Sequence, residues 1–342
     1  MKRTGRLFEQ VIRRATLRLA LSMALRGKRD RPETRRFTRD VERQLARIQD
    51  ELASGTFVFG KYHQFLVHDP KLRVITAPIF RERVVHLALM HVCGPTFERW
   101  LIDDTFACRV GKGRSAALRR AGHFMKRYEH YLELDIRKYF DSISQLELVR
   151  RLERLFKDRR LLETFEKSIT SFRGSIGVGV PIGSLTSQYF ANFYLGWFDR
   201  QVKERYRIRG YVRYMDDMIL WSHSVTELRD LRSRLRDFLR ENLRLELKGY
   251  PSINRTEHGV DFLGCRLWRN HIALSRRSRV RFRRKLALLS KLHEEGRISD
   301  RERQQRETAM VAFATAAGVK SWQFRSSTLE PFAVNGCKAR IG

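Results

Sequence analysis

The sequence has 342 residues, and its 70 lysines and arginines against 38 aspartates and glutamates give a formal net charge of +32. A charge of this size repels itself, so it predicts an anionic partner, and nucleic acid is the first candidate. Hydrophobic residues make up 42% of the chain and include 22 phenylalanines, which excludes a disordered basic tail as a description of the whole chain.

Two further classes of protein are disfavoured by residue patterns. The sequence contains no run of about eighteen apolar residues, so we expect no membrane partner and no membrane span. The cysteines form no Cys-x-x-Cys pair, which argues against a zinc ribbon or a disulfide framework and is typical of the reducing cytoplasm. They lie at Cys93, Cys108, Cys265 and Cys337.

The first sixty residues have the spacing of helices. Apolar residues recur every three or four positions from Phe37 to Leu52, which predicts one helix that Gly55 ends. Residues 81–100 and 115–128 are also predicted helices. The glycine-containing loops at 109–114 and 177–183 lack the spacing of a Walker A or dinucleotide-binding motif, so neither predicts a cofactor of the Rossmann type.

A β-hairpin is predicted between these helical segments. Residues 64–67 and 73–76 are strand-like and flank the turn-forming residues 68–71. A period of two places Lys71 and Arg73 on the same face, where two cations suit a polyphosphate. The alternative is an edge strand that carries charge to prevent aggregation.

Three aspartates stand at the ends of predicted strands. Residues 131–135 alternate as a strand that ends at Asp135, and Asp216 and Asp217 lie together between two apolar strand-like runs. Two adjacent carboxylates repel each other, and a divalent cation removes that cost. Mg²⁺ prefers oxygen ligands, and two such ions about 3.5–4 Å apart stabilise the attacking and leaving oxygens of phosphoryl transfer. The alternative is that Asp-Asp is only turn chemistry.

These residues resemble the motifs of a known enzyme family. Tyr214-Met-Asp-Asp217, with Asp135 upstream and Phe140 five residues after it, is similar to motifs C and A of reverse transcriptases. Lys71 and Arg73 fall where the fingers hairpin of such enzymes carries cations for the incoming triphosphate. Residues 260–264 resemble the primer-grip hairpin.

The resemblance implies an α+β fold of the right-hand polymerase type, with an antiparallel palm sheet flanked by helices. The expected regions are N-terminal helices (1–60), fingers (61–129), palm (130–267) and a helical thumb (268–342). Segment 274–289 is rich in arginine, and we expect it to begin a thumb that grips a duplex backbone through residues such as Arg281 and Arg284. The alternative for this segment is a solvated charged face.

Further roles follow from the same resemblance. The expected ions are two Mg²⁺, with Mn²⁺ as an alternative, and Ile136 joins the three aspartates in the expected metal site. The expected contacts of the deoxynucleoside triphosphate are Lys71, Arg73, Phe140, Ile182 and Gln188, with Phe140 excluding a ribose 2′-hydroxyl. The expected primer or backbone contacts are Phe262, Leu263, Gly264, Arg281, Arg284 and Lys248, the last also a candidate general acid that protonates pyrophosphate.

One motif narrows the resemblance. Residues 180–188, Val-Pro-Ile-Gly-Ser-Leu-Thr-Ser-Gln, replace the Pro-Gln-Gly of most reverse transcriptases and resemble those of diversity-generating retroelements. That family copies a template-repeat RNA into cDNA with errors mainly opposite adenines. A glutamine amide at 182 could hold the nascent pair through hydrogen bonds worth about 0.5–1.5 kcal/mol each, and Ile182 offers only apolar surface. The alternative is that Ile182 simply packs under the following helix, whose stripe from Phe190 to Trp197 is predicted core.

The implied partners are a template RNA with its RNA–cDNA duplex, deoxynucleoside triphosphates and a basic homopentameric accessory variability protein. The expected location is the cytoplasm, for a protein that is bacterial or phage-encoded. One alternative is another stand-alone bacterial reverse transcriptase of retron, abortive-infection or group II-like type. The other is a noncatalytic RNA-binding scaffold or maturase that uses the same basic surface.

Overall fold

The computed structural model describes residues 2–68, 72–315 and 318. The chain forms two compact units, one made of residues up to 113 and 128–254, and the other of residues 114–127 and the chain from Arg255 onward. Helix α6 (Arg114–Arg127) therefore belongs to the second unit. The region boundaries predicted from the sequence, after residues 60, 129 and 267, divide the chain by role and stay predictions.

The first unit is mostly helical. Its helices are α1 (Phe8–Ile12), α2 (Arg14–Leu25), α3 (Pro32–Thr38), α4 (Val41–Ala53), α5 (Phe80–Trp100), α7 (Tyr139–Ser142), α8 (Gln145–Leu152), α9 (Arg159–Thr170), α10 (Leu185–Arg200) and α11 (Val225–Leu243). A π-helical turn, Gln201–Arg205, extends α10.

The prediction of a single helix over 37–52 is wrong, because the helix is interrupted between α3 and α4. Asp40 has a non-helical φ of −142°, and its side chain accepts a hydrogen bond from the Arg43 main-chain N–H at 3.2 Å. An aspartate in this position satisfies an amide that would otherwise lack a helical partner, so it starts a new helix. The predicted end is confirmed, since α4 stops at Ala53 and Gly55 follows with a φ of +73°.

The predicted β-hairpin is confirmed. Strands β1 (Tyr62–His68) and β2 (Leu72–Pro78) are antiparallel, with Tyr62 opposite Pro78 and His68 opposite Leu72. Nearly all of β1 is exposed, including the apolar side chains of Phe65 and Leu66. The ribbon therefore contributes little to the core of its unit.

A four-stranded sheet forms the centre of the first unit. Its strands are β3 (His130–Leu134), β4 (Gly210–Tyr214), β5 (Asp217–Ser222) and β6 (Ile253–Arg255), in the order β4-β5-β3-β6. Strand β5 is antiparallel to both β4 and β3. Its residues after Asp217 are all buried, so the sheet is covered on both faces there.

Aromatic side chains pack α10 against α5. Phe190, Phe193 and Tyr194 are buried, and the ring of Phe97 lies 5.6 Å from that of Phe193. Trp197, the last residue of the stripe, is half-buried beneath Arg151. The prediction that this stripe is core is confirmed.

The second unit combines helices with a small sheet. Its elements besides α6 are β7 (Val260–Phe262), β8 (Cys265–Leu267), β9 (Ile272–Leu274), α12 (Arg276–Glu294) and α13 (Asp300–Thr315). The three strands are antiparallel in the order β7-β8-β9. Arg114 joins α6 to the turn between β7 and β8, since its Nε donates to the carbonyl of Leu263 at 2.9 Å.

Mixed helices and antiparallel sheets confirm the predicted α+β class. Within the described ranges, no helix combines the length and apolar composition needed to cross a bilayer. Cys93, Cys108 and Cys265 are free thiols, and Cys337 lies outside the described residues.

Candidate active site

The β4–β5 hairpin presents two of the predicted aspartates. Tyr214 pairs with Asp217, so the hairpin turns through Met215 and Asp216 alone. Met215 has a φ of +58°, a left-handed conformation that is uncommon for a residue with a side chain. Asp216 is half-buried, and Asp217 is exposed at the start of β5.

The third aspartate is brought to the same place by strand pairing. Leu134, the last residue of β3, lies opposite Met218 of β5, so Asp135 follows β3 beside the point where Asp217 begins β5. Asp135 is half-buried. The structure thus brings together the three predicted carboxylates at one end of the sheet.

The electrostatics of the cluster show an excess of negative charge. Desolvation by the surrounding protein, followed by repulsion from Asp216, Asp135 and Glu133, raises the pKa of Asp217 to about 7. Desolvation and the nearby Asp135 also raise the pKa of Asp216. Such mutual repulsion favours protonation or a bound cation.

Lys248 provides one nearby positive charge. Its Nζ lies 2.6 Å from Oδ2 of Asp135, and its main-chain N–H donates to the Asp135 carbonyl at 2.8 Å. The hydrogen bond to Asp135 raises the pKa of Lys248, so the ammonium stays protonated. The structure therefore places the predicted general acid directly against a predicted metal ligand.

The carboxylates fit a divalent ion only as an incomplete ligand set. Among the described residues, no group of three or more His, Cys, Asp or Glu side chains is arranged to hold a metal ion by itself. Mg²⁺ is usually held by one or two carboxylates together with substrate phosphates, and the oxygens of Asp216 and Asp217 suit that arrangement. Ile136 is buried and apolar, so only its main-chain carbonyl could be a ligand.

The β1–β2 hairpin contributes a cation to this site. Arg73 is exposed on β2 and lies near enough to Asp216 to oppose the rise in its pKa. Lys71, its predicted companion, lies outside the described residues. The prediction that both cations share one face is therefore untested.

The loop before α10 packs against β2. The Thr76 main-chain N–H donates to the carbonyl of Ile182 at 2.7 Å. A Cβ on Gly183, whose φ is +123°, would lie 2.8 Å from Cγ2 of Ile75 and 3.1 Å from the carbonyl oxygen of Thr76. Only glycine allows this approach, which fixes the backbone of Ile182 beside the hairpin.

The other predicted nucleotide contacts lie in the same unit. Phe140 is half-buried in α7, where it packs against the core. Gln188 is half-buried in the first turn of α10. Their predicted roles remain predictions.

The predicted primer contacts lie in the second unit. Phe262 is buried at the end of β7, and Leu263 and Gly264 form the turn to β8 with φ angles of +50° and +77°. In α12, Arg281 is half-buried and Arg284 is exposed. These roles also remain predictions.

Sequence reasoning missed a buried ion pair behind the turn formed by Met215 and Asp216. The side chains of Arg213 and Asp199 are fully buried and lie 2.7 Å apart, and Arg213 also donates to the carbonyl of Met215 at 2.9 Å. The available signal was an arginine inside the apolar strand that precedes the two aspartates.

A family model described as reverse transcriptase (RNA-dependent DNA polymerase) matches residues 68–267 of this chain. Protein YkfC of Escherichia coli K12 is 25% identical over 275 residues, covering 67% of this chain and 72% of that protein. Nuclear intron maturase 4, mitochondrial, of Arabidopsis thaliana is 27% identical over 169 residues, covering 47% of this chain and 21% of the maturase.

Solved structures of telomerase are also similar to this chain. The apo telomerase of Candida tropicalis superposes with a TM-score of 0.48 and 9% identity, covering 67% of this chain and 53% of that chain. This chain therefore spans about half of that structure and about a fifth of the maturase.

Proposed function

We propose that this chain, which belongs to the reverse transcriptase (RNA-dependent DNA polymerase) family, copies RNA into DNA. Its catalytic carboxylates would be those of Asp135, Asp216 and Asp217. Membership confirms the enzyme class and the right-hand polymerase fold that the sequence predicts. The proposed step is attack of a primer 3′-hydroxyl on the α-phosphorus of a deoxynucleoside triphosphate, with pyrophosphate leaving.

One observation carries this proposal. Strand pairing brings three carboxylates from distant parts of the chain to one end of the sheet, where desolvation first, and then repulsion from Asp216 and Asp135, raises the pKa of Asp217 to about 7. A structural role would favour separating or neutralising such charges, because repulsion between unpaired carboxylates is destabilising. Divalent cations bound between the carboxylates would offset this repulsion, so a cluster of unpaired carboxylates favours a cation-binding role.

Divalent ions, proposed to be Mg²⁺ with Mn²⁺ as an alternative, would stabilise the charge that develops on the transferred phosphoryl group. The carboxylates of Asp216 and Asp217 and the main-chain carbonyl of Ile136 would hold them, together with Asp135. The ammonium of Lys248 is bonded to Asp135, beside the proposed metal site. We propose that it leaves Asp135 when the metal ions bind and then protonates the leaving pyrophosphate.

The remaining contacts are assigned to the triphosphate and the primer. Arg73 and Lys71 would neutralise the triphosphate, and Phe140 would fill the space of a ribose 2′-hydroxyl. Gln188 and Ile182 would border the nascent base pair. We assign primer and duplex contacts in the second unit to Phe262, Leu263, Gly264, Arg281 and Arg284.

Replacement of one carboxylate tests the proposal. Asp216→Asn keeps the size of the side chain and removes its charge, so we expect nucleotide incorporation on an RNA template to fall at least about 1,000-fold. RNA affinity in a filter-binding assay should stay within twofold. The matched control is Asp230→Asn on α11, an exposed aspartate away from the site, which should incorporate normally. Full incorporation by Asp216→Asn would exclude the metal-ligand assignment.

We further propose that the enzyme belongs to a diversity-generating retroelement. The support is motif B, where Ile182 stands in place of a glutamine amide. The implied template is a template-repeat RNA, and the implied partner is a basic homopentameric accessory protein. Primer extension with and without that protein, followed by sequencing of the cDNA, should give substitutions concentrated opposite template adenines.

Ile182→Gln sharpens this test. An added amide should lower the substitution rate at adenines by several-fold, because each hydrogen bond that fixes the nascent pair is worth about 0.5–1.5 kcal/mol. Ile182→Leu keeps the apolar surface and should leave the rate unchanged. A wild-type cDNA with uniformly rare substitutions would favour another stand-alone reverse transcriptase.

A second candidate function rests on the names of the relatives. One matching protein is a nuclear intron maturase, and another is an uncharacterized 91 kDa protein in the cob intron of Schizosaccharomyces pombe. A noncatalytic maturase would bind intron RNA through the same basic surface. It predicts that Asp216→Asn supports splicing as well as the wild type, whereas a polymerase predicts loss of cDNA.

A further inference from the structure

We propose that Arg213 is a positioning residue, which fixes the backbone of the turn that carries Asp216 and Asp217. This inference rests on the proposed function, because it assigns a purpose to the turn only if the two aspartates are catalytic. It concerns a side chain that does not reach the substrate. The argument depends on where each N–H group of the guanidinium points.

One side of the guanidinium is bound to Asp199 by a two-point ion pair. Nε donates to Oδ1 and Nη2 donates to Oδ2, both at 2.7 Å. Both side chains are fully buried. The two parallel bonds fix the plane of the guanidinium as well as its distance from α10, which carries Asp199.

The other side of the guanidinium reaches the catalytic turn. Nη1 donates to the carbonyl of Met215 at 2.9 Å and to Oδ1 of Asn192 at 3.1 Å, and Nη2 donates to the Asn192 carbonyl at 3.0 Å. Asn192, like Asp199, belongs to α10. The guanidinium thus connects a helix of the core directly to the residue that precedes Asp216.

The main chain of Arg213 is also fixed. Its N–H donates to the carbonyl of Asp104 at 2.9 Å, and its carbonyl accepts from the N–H of Phe106 at 3.0 Å. Asp199 in turn accepts from the hydroxyls of Tyr211 at 2.7 Å and Thr105 at 2.9 Å. These bonds hold the guanidinium in place relative to the core. Its bond to the Met215 carbonyl therefore restrains the position of the turn.

The bond from Arg213 to Met215 stabilises an unfavourable backbone conformation in the turn. Met215 has a φ of +58°, which residues with a Cβ adopt unfavourably and which the hairpin requires at that point. The bond from Arg213 to its carbonyl favours this conformation over others. Catalytic groups must be held within about 0.5 Å of their productive positions, and the turn sets the positions of both aspartates.

Stability alone is a weak reason for such an ion pair. Replacing a buried pair by apolar residues of similar size is often neutral or stabilising, so a pair kept only for stability has no advantage. A guanidinium that bonds to one main-chain carbonyl in the turn offers a geometric function that apolar packing does not. The two roles make different predictions.

Arg213→Lys separates the two roles. Lysine keeps the charge next to Asp199 but lacks the planar fork needed to reach Asp199 and Met215 together. We expect kcat for nucleotide incorporation to fall about 10- to 100-fold, with KM for the triphosphate changing less than threefold. The Mg²⁺ concentration for half-maximal activity should rise about tenfold, and RNA affinity should not change.

A second measurement does not depend on activity. Hydrogen exchange of metal-free protein, followed by mass spectrometry, should be at least about tenfold faster across residues 214–218 in Arg213→Lys. Exchange in β3 should be unchanged. The matched control is Tyr194→Phe on α10, which removes a buried hydroxyl that donates to the Leu243 carbonyl at 2.7 Å and contacts neither Asp199 nor the turn, and it should show normal exchange in the turn and normal Mg²⁺ dependence.

Unfolding of Arg213→Lys would not leave the question open. The double variant Arg213→Met with Asp199→Leu removes both charges together, so it leaves no unpaired buried ion and should fold. If this variant folds yet keeps the wild-type Mg²⁺ dependence and exchange rate, Arg213 does not position the turn. If Asp216→Asn also remained active, the proposed function itself would fail, and the two failures are thus distinguishable.

Discussion

Two antiparallel hairpins of the first unit contribute residues to the candidate site, and they differ in how deeply their strands are buried. The β4–β5 hairpin is buried along both strands, apart from its turn and the flanking Tyr214 and Asp217. The β1–β2 hairpin is exposed along nearly all of β1 and the first three residues of β2. Burial fixes the strands that carry the carboxylates, and exposure leaves Arg73 accessible to a ligand.

The anchors of the two hairpins differ in the same way. Arg213 bonds to the turn of β4–β5 from inside the core. The β1–β2 hairpin is bound at its base, where Oε2 of the buried Glu82 accepts from the main-chain N–H groups of Gly60 at 3.0 Å and Lys61 at 3.2 Å. The bond from the Thr76 N–H to the Ile182 carbonyl also lies nearer the base than the tip, so we expect this hairpin to adapt more readily than one that is bonded at its turn.

The largest expected difference is in stability. Leu220 of β5 is fully buried, so Leu220→Ala should reduce the free energy of unfolding by about 2–5 kcal/mol. Leu66 of β1 is 64% exposed, and Leu66→Ala should change it by no more than about 0.5 kcal/mol. Urea denaturation of the full chain measures both. Similar losses would mean that the two hairpins do not differ as described.

The anchor of the exposed hairpin should respond to pH. Burial raises the pKa of Glu82 to about 7, against the hydrogen bonds from Lys61 and Gly60. In the unfolded chain this carboxyl ionises near its ordinary pKa of 4.5, so between pH 4.5 and 7 the folded protein binds more protons. Stability from Glu82 is therefore complete below pH 4.5 and is lost as pH rises through about 7.

Glu82→Gln isolates this contribution. The unfolding free energy of the wild type relative to Glu82→Gln should fall by about 3 kcal/mol between pH 4.5 and pH 8. His86, whose pKa burial lowers to about 3, also destabilises the fold as the pH falls below 6.5, and its Nε2 lies 3.5 Å from Oε1 of Glu82. The comparison is therefore repeated in a His86→Gln background, where Glu82 alone titrates at this contact. Glu166→Gln, an exposed change on α9, should give no such trend. A pH-independent difference would mean that Glu82 is ionised in the fold.

The smallest expected change concerns the exposed cation. Arg73→Ala removes a charge-assisted contact with the triphosphate worth about 1.5–3 kcal/mol, so KM for the nucleotide should rise about 10- to 150-fold. The free energy of unfolding should not change, since Arg73 is exposed. Steady-state primer extension measures KM, with Arg229→Ala on α11 as the control for net charge. An unchanged KM would remove Arg73 from the triphosphate site.

Local patterns predicted the strands of the site. Alternation over residues 131–135 is a period-two signal, and two adjacent aspartates between apolar runs indicate a turn between two buried strands. Neither signal depends on the rest of the fold. The break at Asp40 was equally local, since an aspartate is a strong helix-starting residue. The apolar spacing across it outweighed that signal in the sequence interpretation and produced the wrong single helix.

The contacts behind the turn could not be predicted in the same way. Asp199 and Arg213 belong to a helix and a strand whose packing is decided by many apolar side chains at once. The pairing of Lys248 with Asp135 likewise joins residues 113 positions apart. Sequence patterns indicate which residues share an element, and they do not indicate which elements meet.

The left-handed backbone of Met215 limits which amino acids position 215 accepts. Valine, isoleucine and threonine carry two heavy atoms on Cβ and are the poorest occupants of that conformation, whereas asparagine, aspartate and glycine enter it most readily. In a library with every amino acid at position 215, we therefore expect activity to depend on how readily each residue adopts a positive φ, more than on its hydrophobicity or size.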